Sequence, residues 1–175
     1  MKKLIPFLLL FISAFANEGE ISHILTPRGG SDPHTDNKNI VRQFYEAFQE
    51  NNPAKMHDYL TSNPQVTDKT TPYDAPYSKY DAFSKNWKVR SNALHEAIPD
   101  FKLHIIKTIA EGNQVLAHIK IQGIQRGPFL GVEPTNKMLI IKIFSLFTIE
   151  NGKISHVSEM WNELGVMKQM GYIAL

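Results

Sequence analysis

The second half of the sequence alternates between apolar and polar residues for most of its length, and this period of two predicts β-strands. Two alternating runs flank "EGN" at residues 111–113, and two more flank "ENG" at residues 150–152. Both tripeptides are typical of tight turns between antiparallel strands. The sequence therefore predicts a four-stranded antiparallel meander over residues 101–161.

One set of alternating positions is apolar throughout the predicted strands and should face a core. In the first two strands this set is Phe101, Leu103, Ile105, Ile109, Val115, Ala117, Ile119 and Ile121. In the long third strand it is Leu139, Ile141, Ile143, Ser145, Phe147 and Ile149. The opposite face of the third strand is also apolar, at Ile140, Phe144 and Leu146, and a monomer would expose that stripe. We therefore expect a homodimer that pairs two sheets.

The first half has the three- and four-residue spacing of amphipathic helices. Such spacing runs over residues 39–48, a short second helix follows Pro53, and a third helix is predicted over residues 79–97. Between them, "TSNPQVTDKTTPYDAPYSK" is predicted to be a long loop. Three helices and an antiparallel sheet give an α+β domain with the helices on one face. If the sheet curves around the helices, a pocket lies between the layers; an open two-layer sandwich is the alternative.

The chain opens with the features of a secretory signal peptide. Lys2 and Lys3 precede a short apolar run, and "AFA" at residues 14–16 fits a cleavage site. The run is shorter than the ~20 residues of a membrane span, which argues against the alternative of an N-terminal anchor. We predict a signal peptide at residues 1–16, a flexible leader at 17–37 and a folded domain at 38–175. After cleavage near Ala16, the protein would be periplasmic or secreted from a bacterium.

Composition and motifs exclude several classes of protein. The chain has no cysteine, so disulfides and thiolate chemistry are ruled out. Of its 19 basic residues, Lys2 and Lys3 would leave with the signal, which gives 17 against 17 acidic ones and no run of like charge. Nucleic acid and anionic membranes are therefore not expected as partners. The sequence has no zinc-protease, nucleophile-elbow, phosphate-loop or dinucleotide motif, and we expect neither metal nor cofactor.

Glu159 is the candidate catalytic residue, because it shares one face of the last strand with Val157 and Trp161. If that face lines the pocket, desolvation favours the protonated form of the carboxyl group. Such a group can remove a proton beside a carbonyl and return it. The alternatives are that this face is exposed to solvent, or that Glu159 forms an ion pair with Arg90 or Lys142.

Ser145, Gln125 and Trp87 are candidates for substrate binding. Ser145 interrupts an apolar strand face and could orient a substrate carbonyl, or hydrogen-bond to a neighbour within the core. Gln125 could do either near the mouth of the pocket. Trp87 could form part of the pocket wall, although an aromatic residue on such a helix more often packs in the core.

Five segments of the sequence together resemble the SnoaL-like polyketide cyclases, also called ester cyclases. They are "VRQFYEAF", "AIPDFKLHI", "GPFLGVEPTNK", "FTIENGKI" and "WNELGVMKQMG", and the resemblance covers residues 39–171. It implies the cone-shaped α+β barrel of the nuclear transport factor 2-like superfamily, with an apolar pocket, no metal and frequent dimers. It also implies ring closure by an intramolecular aldol condensation, with a carboxylate on the last strand as acid and base.

The resemblance assigns roles to residues of the last strand. Many relatives carry a pattern like "E-H-W-D/E-x-W-D-E-L-G" there, in which Glu159 takes the carboxylate position and Trp161 that of the second tryptophan. The relatives' histidine, first tryptophan, following aspartate and the histidine before "G-x-F-x-G" fall on Val157, Ser158, Asn162 and Gln125. These departures keep the acid–base residue and remove several polar side chains around it. Trp161 and Asn162 join the candidate substrate-binding residues.

One function and two alternatives follow. We expect cofactor-free chemistry of the cyclase, lyase or isomerase type on a small apolar carbonyl compound, with Glu159 as proton acceptor and donor. An exported small-molecule binding protein of the same fold, without catalysis, is the first alternative, and a structural or dimerisation module is the second. The predicted export favours the binding protein, because polyketide cyclases normally work beside cytosolic synthases.

Overall fold

The computed structural model describes residues 32–68 and 86–172. The predicted signal peptide, most of the predicted leader and residues 69–85 lie outside the described residues. The elements are α1 (Pro33–Gln49), α2 (Pro53–His57), β1 (Leu60–Asp68), α3 (Trp87–Ala97), β2 (Lys102–Glu111), β3 (Gln114–Ile124), β4 (Met138–Glu150), β5 (Lys153–Trp161) and α4 (Glu163–Met170). None of the helices in the described ranges is long and apolar enough to cross a membrane.

The five strands form one curved sheet in the order β1-β5-β4-β3-β2. The strands β2 to β5 are the predicted antiparallel meander. Between β4 and β5, Asn151 and Gly152 have φ values of 51° and 74°. A two-residue turn with both φ angles positive matches the twist of the strands it joins. The predicted α+β class, with helices packed on a curved sheet whose strands β2 to β5 are antiparallel, is confirmed.

The strand β1 corrects the prediction of a loop after α2. Leu60–Asp68 pairs in parallel with β5, and Gln65 lies opposite His156. The register shifts between Leu60 and Gln65, where Asn63 and Pro64 lie. The sequence did not predict this strand, because these two residue types are typical of turns. A proline is tolerated here because β1 is at the edge of the sheet and irregular.

A bulge in β2 corrects the predicted position of Ile109. The register with β3 shifts between Ile105 and Lys107, which inserts one extra residue into β2. Side chains after such a bulge change face, because the side-chain period of a strand is two. Ile109 is therefore 51% exposed rather than buried. Thr108 and Ala110 take the inward positions and are partly buried.

Two helix boundaries also differ from the predicted ones. The helix α1 begins at Pro33, before the predicted start at residue 39. The helix α3 begins at Trp87, and residues 79–85 of the predicted third helix lie outside the described residues. Asn86 precedes it in an extended conformation, and its side chain accepts hydrogen bonds from the amides of Lys88 and Val89. An asparagine in this role caps the first turn and fixes where the helix begins.

The core lies between α1, α3 and the inward face of the sheet. The buried sheet positions include Val115, Ala117, Ile119, Leu139, Phe147 and Val157, as the alternation predicts. Phe44 of α1 packs edge-on against Trp87 and Phe147, with ring centroids 4.9 Å and 6.1 Å away. Edge-to-face contacts of this kind favour one relative arrangement of the rings. They hold both helices over the sheet and so position the cavity described below.

The other face of β4 is exposed, as predicted. Ile140, Phe144 and Leu146 are 46%, 46% and 36% exposed. Met160 of β5 lies opposite Phe144 and is 58% exposed. His118 of β3 stacks on Phe144 with ring centroids 4.3 Å apart. We name these five side chains the outer patch.

Candidate functional site

A cavity of about 60 Å³ lies between the helices α1 and α3 and the sheet. Its lining comes from both helices, from β2 to β5 and from the connection between β3 and β4. Apart from Tyr45, Arg90 and Glu159, the lining side chains are aliphatic or carry phenyl or indole rings. A water molecule needs ~10–15 Å³ of such space, so the cavity has room for about four to six water-sized groups.

Glu159 lies in the wall of this cavity and is only 4% exposed. The register of β5 with β4 shifts between Thr148 and Ile149, and beyond that shift Val157 and Glu159 both face inward. Glu159 lies directly opposite Ser145 of β4. The period of two therefore brings the carboxylate to the inner face of the sheet, where a charge needs partners.

Glu159 has two direct partners, on α3 and β4, and a residue of α1 hydrogen-bonds to one of them. Arg90 of α3 donates from Nη2 to Glu159 Oε2 and forms an ion pair with it. Ser145 Oγ donates to Glu159 Oε1 at 3.2 Å. The hydroxyl of Tyr45, on α1, donates to Ser145 Oγ at 2.9 Å. We name these four side chains the carboxylate network. The ion pair with Arg90 is one of the two that the sequence predicted as alternatives, whereas Lys142, the other predicted partner, is exposed on the opposite face.

The carboxylate of Glu159 and the phenol of Tyr45 are both buried, and the guanidinium of Arg90 and the hydroxyl of Ser145 donate hydrogen bonds to the carboxylate. For Tyr45, burial and then the negative charge of Glu159 raise the pKa of the phenol well above its usual range. Tyr45 therefore keeps its proton at ordinary pH and remains a hydrogen-bond donor to Ser145.

Arg90 is held in place by Trp87, which lies one helical turn before it. The Cζ atom of Arg90 is 5.1 Å from the centroid of the Trp87 ring, a cation–π contact. Within the part of the chain that the structure describes, Arg90 Nη1 and Trp87 Nε1 are buried and have no hydrogen-bond partner. The cavity therefore has two lining residues with an unused polar donor.

Three of the candidate substrate-binding residues lie at or beside the cavity. Trp87 and Trp161 line it. Ser145 is fully buried and acts on the cavity through Glu159, to which it donates. The sequence predicted that the Ser145 hydroxyl would either orient a substrate carbonyl or form a hydrogen bond within the core. The structure shows hydrogen bonds of that hydroxyl to Glu159 and Tyr45.

Gln125 and Asn162 lie apart from the residues that line the cavity. Gln125 is fully buried, and its amide holds the connection between β3 and β4. Its hydrogen-bond partners are the carbonyls of Gly127, Val132 and Glu133 and the amide and hydroxyl of Thr135. Asn162 is exposed and caps α4, because its Oδ1 accepts from the amide of Gly165 at 2.8 Å. Both side chains have structural partners that account for them.

In the sequence, Tyr45 falls within the helical spacing of residues 39–48 without a role of its own, and Arg90 is predicted only as a possible partner for Glu159. A signal for Tyr45 was present, because a phenol on the buried side of a helix needs a hydrogen-bond partner. Arg90 lies on the same helix as Trp87 and one turn away, which places both near the same layer. Within residues 32–68 and 86–172, no three histidine, aspartate or glutamate side chains cluster as a metal site would require.

Comparison with known proteins identifies the family. The family of SnoaL-like polyketide cyclases matches residues 39–170. Comparison with curated proteins gives no match.

Solved structures share the fold at low identity. A provisionally named SnoaL-like polyketide cyclase from Jannaschia sp. CCS1 is 18% identical, with a TM-score of 0.67 over 83% of this chain and 99% of that one. AclR from Streptomyces galilaeus, provisionally named a hydroxylase, is 15% identical, with a TM-score of 0.65 over 81% and 99%. A hypothetical protein with a ketosteroid isomerase-like fold from Catenulispora acidiphila DSM 44928, in complex with trimethylamine, is 14% identical, with a TM-score of 0.56 over 75% and 92%.

At these identities, structural likeness establishes the fold, which is nuclear transport factor 2-like, or ketosteroid isomerase-like. The expected resemblance is confirmed by the family match, which extends from α1 to α4. The chain belongs to the SnoaL-like polyketide cyclase family.

Proposed function

We propose that the protein performs cofactor-free acid–base chemistry, of the cyclase or isomerase type, on a small apolar carbonyl compound. Glu159 accepts the proton and returns it. The observation that carries this proposal is a carboxylate, 4% exposed, in the wall of a cavity whose other lining residues, apart from Tyr45 and Arg90, are aliphatic or carry phenyl or indole rings. Titratable groups that are desolvated in a cleft and held by specific partners are concentrated at functional sites.

The reaction begins when Glu159 removes a proton from the carbon beside the substrate carbonyl. The C–H bond breaks, its electron pair moves towards the carbonyl oxygen, and the carboxylate gains the proton. The enolate that forms then attacks a second carbonyl to close a ring and is protonated on the oxygen of that carbonyl. In a substrate with a double bond beyond the carbon that loses the proton, the resulting dienolate is protonated instead at the far carbon of that double bond. In either case Glu159 returns the proton. A carboxylate has about four lone-pair positions, and the carboxylate network uses two of them, so acceptor capacity remains for the substrate.

The walls of the cavity favour an apolar and small substrate. The aliphatic and aromatic lining offers little to compensate a substrate's polar groups for lost water. Cyclopentanone, with five carbons and one oxygen, is a probe on the scale of this cavity.

The alternative is an exported binding protein of the same fold that performs no chemistry. It is supported by the ion pair itself, since a carboxylate satisfied by Arg90 and Ser145 also has a purely structural explanation. Native mass spectrometry of the purified protein distinguishes the two. A tightly held and chemically unchanged small molecule favours the binding protein.

The proposed chemistry is tested by hydrogen–deuterium exchange. Cyclopentanone is incubated with the protein in D₂O, and the signal of the protons beside its carbonyl is followed by proton NMR. Because the proton taken up by the Glu159 carboxyl group exchanges with D₂O before it is returned, these protons are expected to disappear faster than in the same buffer without protein. Binding of the ketone without faster exchange would contradict the proposal and favour the binding protein.

A further inference from the structure

We infer that Arg90 binds the carbonyl oxygen of the ligand through Nη1, while Nη2 holds Glu159. This inference rests on the proposed function for the identity of the ligand's reacting group. It adds a second catalytic residue, and it also assigns the charge of the ligand: a neutral carbonyl compound rather than a carboxylate.

The first argument is the unused donor. Arg90 lines the cavity, its side chain is only 11% exposed, and Nη1 is buried without a partner among the described residues. A buried donor that lacks an acceptor costs free energy, and the cost is greater on a charged group. An oxygen atom brought in by a ligand would remove that cost. The hydrocarbon groups that form most of the lining offer no acceptor of their own.

The second argument is geometric. The two terminal nitrogens of a guanidinium are bonded to the same carbon and lie in one plane. A carbonyl oxygen bound at Nη1 therefore lies beside the carboxylate that is bound at Nη2. The carbon next to that carbonyl is two bonds from the oxygen, which brings its proton within reach of Glu159. One guanidinium thus positions both the base and the substrate.

The third argument concerns the atom on which negative charge develops during the reaction. Removal of the proton moves negative charge onto the carbonyl oxygen, which is the atom that Nη1 contacts. A donor that is already in place when charge forms stabilises the transition state more than the ground state. The contact of Arg90 with the Trp87 ring, at 5.1 Å, fixes the guanidinium before the ligand arrives.

The charge of the network selects the ligand. Arg90 and Glu159 together are neutral, so the cavity has no net positive charge with which to hold an anion. A ligand carboxylate at Nη1 would lie close to the carboxylate of Glu159, and juxtaposed like charges are strongly unfavourable. A ketone or aldehyde oxygen carries no such penalty and still accepts the hydrogen bond.

The test is the carbon-13 chemical shift of the carbonyl in labelled cyclopentanone bound to the protein. Hydrogen bonding to a cationic donor moves this signal downfield. We expect the downfield signal in the wild type and in Glu159→Gln, which keeps Arg90. Arg90→Lys keeps a positive charge for Glu159 but has no second planar nitrogen. In that variant the signal should move back towards that of the ketone in apolar solvent, and affinity should fall about tenfold or more.

Two controls make the assignment specific. Trp87→Phe keeps a ring beneath the guanidinium and removes the other unused donor, Nε1, so the downfield signal should persist in it. If Arg90→Lys does not fold, the double variant Arg90→Gln with Glu159→Gln removes both charges together. Compared with Glu159→Gln alone, that double variant should lose the downfield signal.

Several outcomes would overturn the inference: an unchanged shift and affinity in Arg90→Lys, loss of the shift in Trp87→Phe, tighter binding of cyclopentanecarboxylate than of cyclopentanone, or no binding of the ketone to the wild type.

The role of Arg90 and the proposed catalysis can fail independently of each other. A downfield carbonyl without proton exchange refutes the proposed catalysis and supports the role of Arg90. Proton exchange without the downfield carbonyl refutes the role of Arg90 and supports the catalysis.

Discussion

Glu159 occupies a position on β5 where its neighbours Val157 and Trp161 are hydrophobic, and the carboxylate network explains how a charge is tolerated there. Regarded as a lone desolvated carboxylate, Glu159 would destabilise the fold, and its replacement by glutamine should stabilise it. The ion pair changes that expectation. Removing one member of a buried pair leaves the other charge uncompensated, so Glu159→Gln should lower the free energy of unfolding.

Tyr45 gives a prediction about pH. Burial and the charge of Glu159 raise the pKa of its phenol, whereas a tyrosine in the unfolded chain titrates near ~10. Above that pH the unfolded state releases a proton that the folded state keeps. The stabilising contribution is therefore complete below pH ~10 and is lost as the pH rises towards the folded value.

Urea unfolding of the wild type and of Tyr45→Phe measures this effect. Their difference in free energy of unfolding should be constant between about pH 7 and 9. Above pH ~10 the wild type should lose stability relative to the variant by up to ~1.4 kcal/mol for each pH unit. A difference that stays constant to pH 11 would mean that the folded phenol ionises as readily as an unfolded one.

At the scale of single residues, the sequence predicted the face of Glu159 but not its neighbourhood. The period of two is local, and it is enough to place Glu159, Val157 and Trp161 together. The pairing with Arg90 joins residues 69 positions apart in the chain, on a helix and a strand. Such a contact depends on how α3 packs on the sheet, so the sequence offered Arg90 only as one of two partners.

Among the secondary-structure elements, β2 shows why a pattern of hydrophobic residues sometimes does not fix the register. Its sequence "KLHIIKTIAE" has isoleucine at 105, 106 and 109, so both faces have apolar residues to bury. Alternation without a bulge would place Ile109 in the core. The bulge near Ile106 places it outside instead.

Substitution of Ile109 tests the bulge. Ile109→Thr should change the free energy of unfolding by less than about 0.5 kcal/mol, because the side chain is half exposed. The matched control is Ile119→Thr on β3, where the side chain is 1% exposed and the loss should be about 2 kcal/mol or more. Urea denaturation measures both. Equal losses in the two variants would indicate that β2 continues without a change of face.

For the other elements, the accuracy of the prediction depends on how strong the local sequence pattern is. The Asn-Gly turn at 151–152 was predictable because few residues adopt two successive positive φ values. The parallel strand β1 was not, because its pairing with β5 is long-range and its sequence contains Asn63 and Pro64. The start of α3 depends on the capping side chain of Asn86. The sequence did not predict this start, because the residues around Asn86 also have helical spacing.

For the whole molecule, we propose that two copies pair through the outer patch. Four of the five side chains of the patch are apolar, and it extends across β3, β4 and β5, while helices α1 and α3 pack on the opposite side of the sheet. Burial of a surface of this kind is the usual reason for two sheets to associate. Export and cleavage near Ala16 stay predictions, since they concern residues outside those described.

Light scattering after size exclusion tests the pairing. The protein without its predicted signal should have about twice its chain mass, since pairing would bury the outer patch. Phe144→Glu places a charge at the centre of the patch and should yield the monomer. A wild type that is monomeric at micromolar concentration, or a Phe144→Glu variant that stays dimeric, would contradict this interface.

The central claim is that Glu159 carries the proton, and the rate of cyclopentanone exchange in Glu159→Gln tests it most directly. Glutamine keeps the shape of the side chain and can accept from Arg90, but it is not a base. The control is Glu163→Gln, which changes another buried glutamate, on α4, outside the lining of the cavity. Circular dichroism establishes that both variants are folded at the temperature used. We expect the protein-dependent exchange rate to fall by at least ~100-fold in Glu159→Gln and to be unchanged in Glu163→Gln. Exchange at the wild-type rate in folded Glu159→Gln would contradict the account.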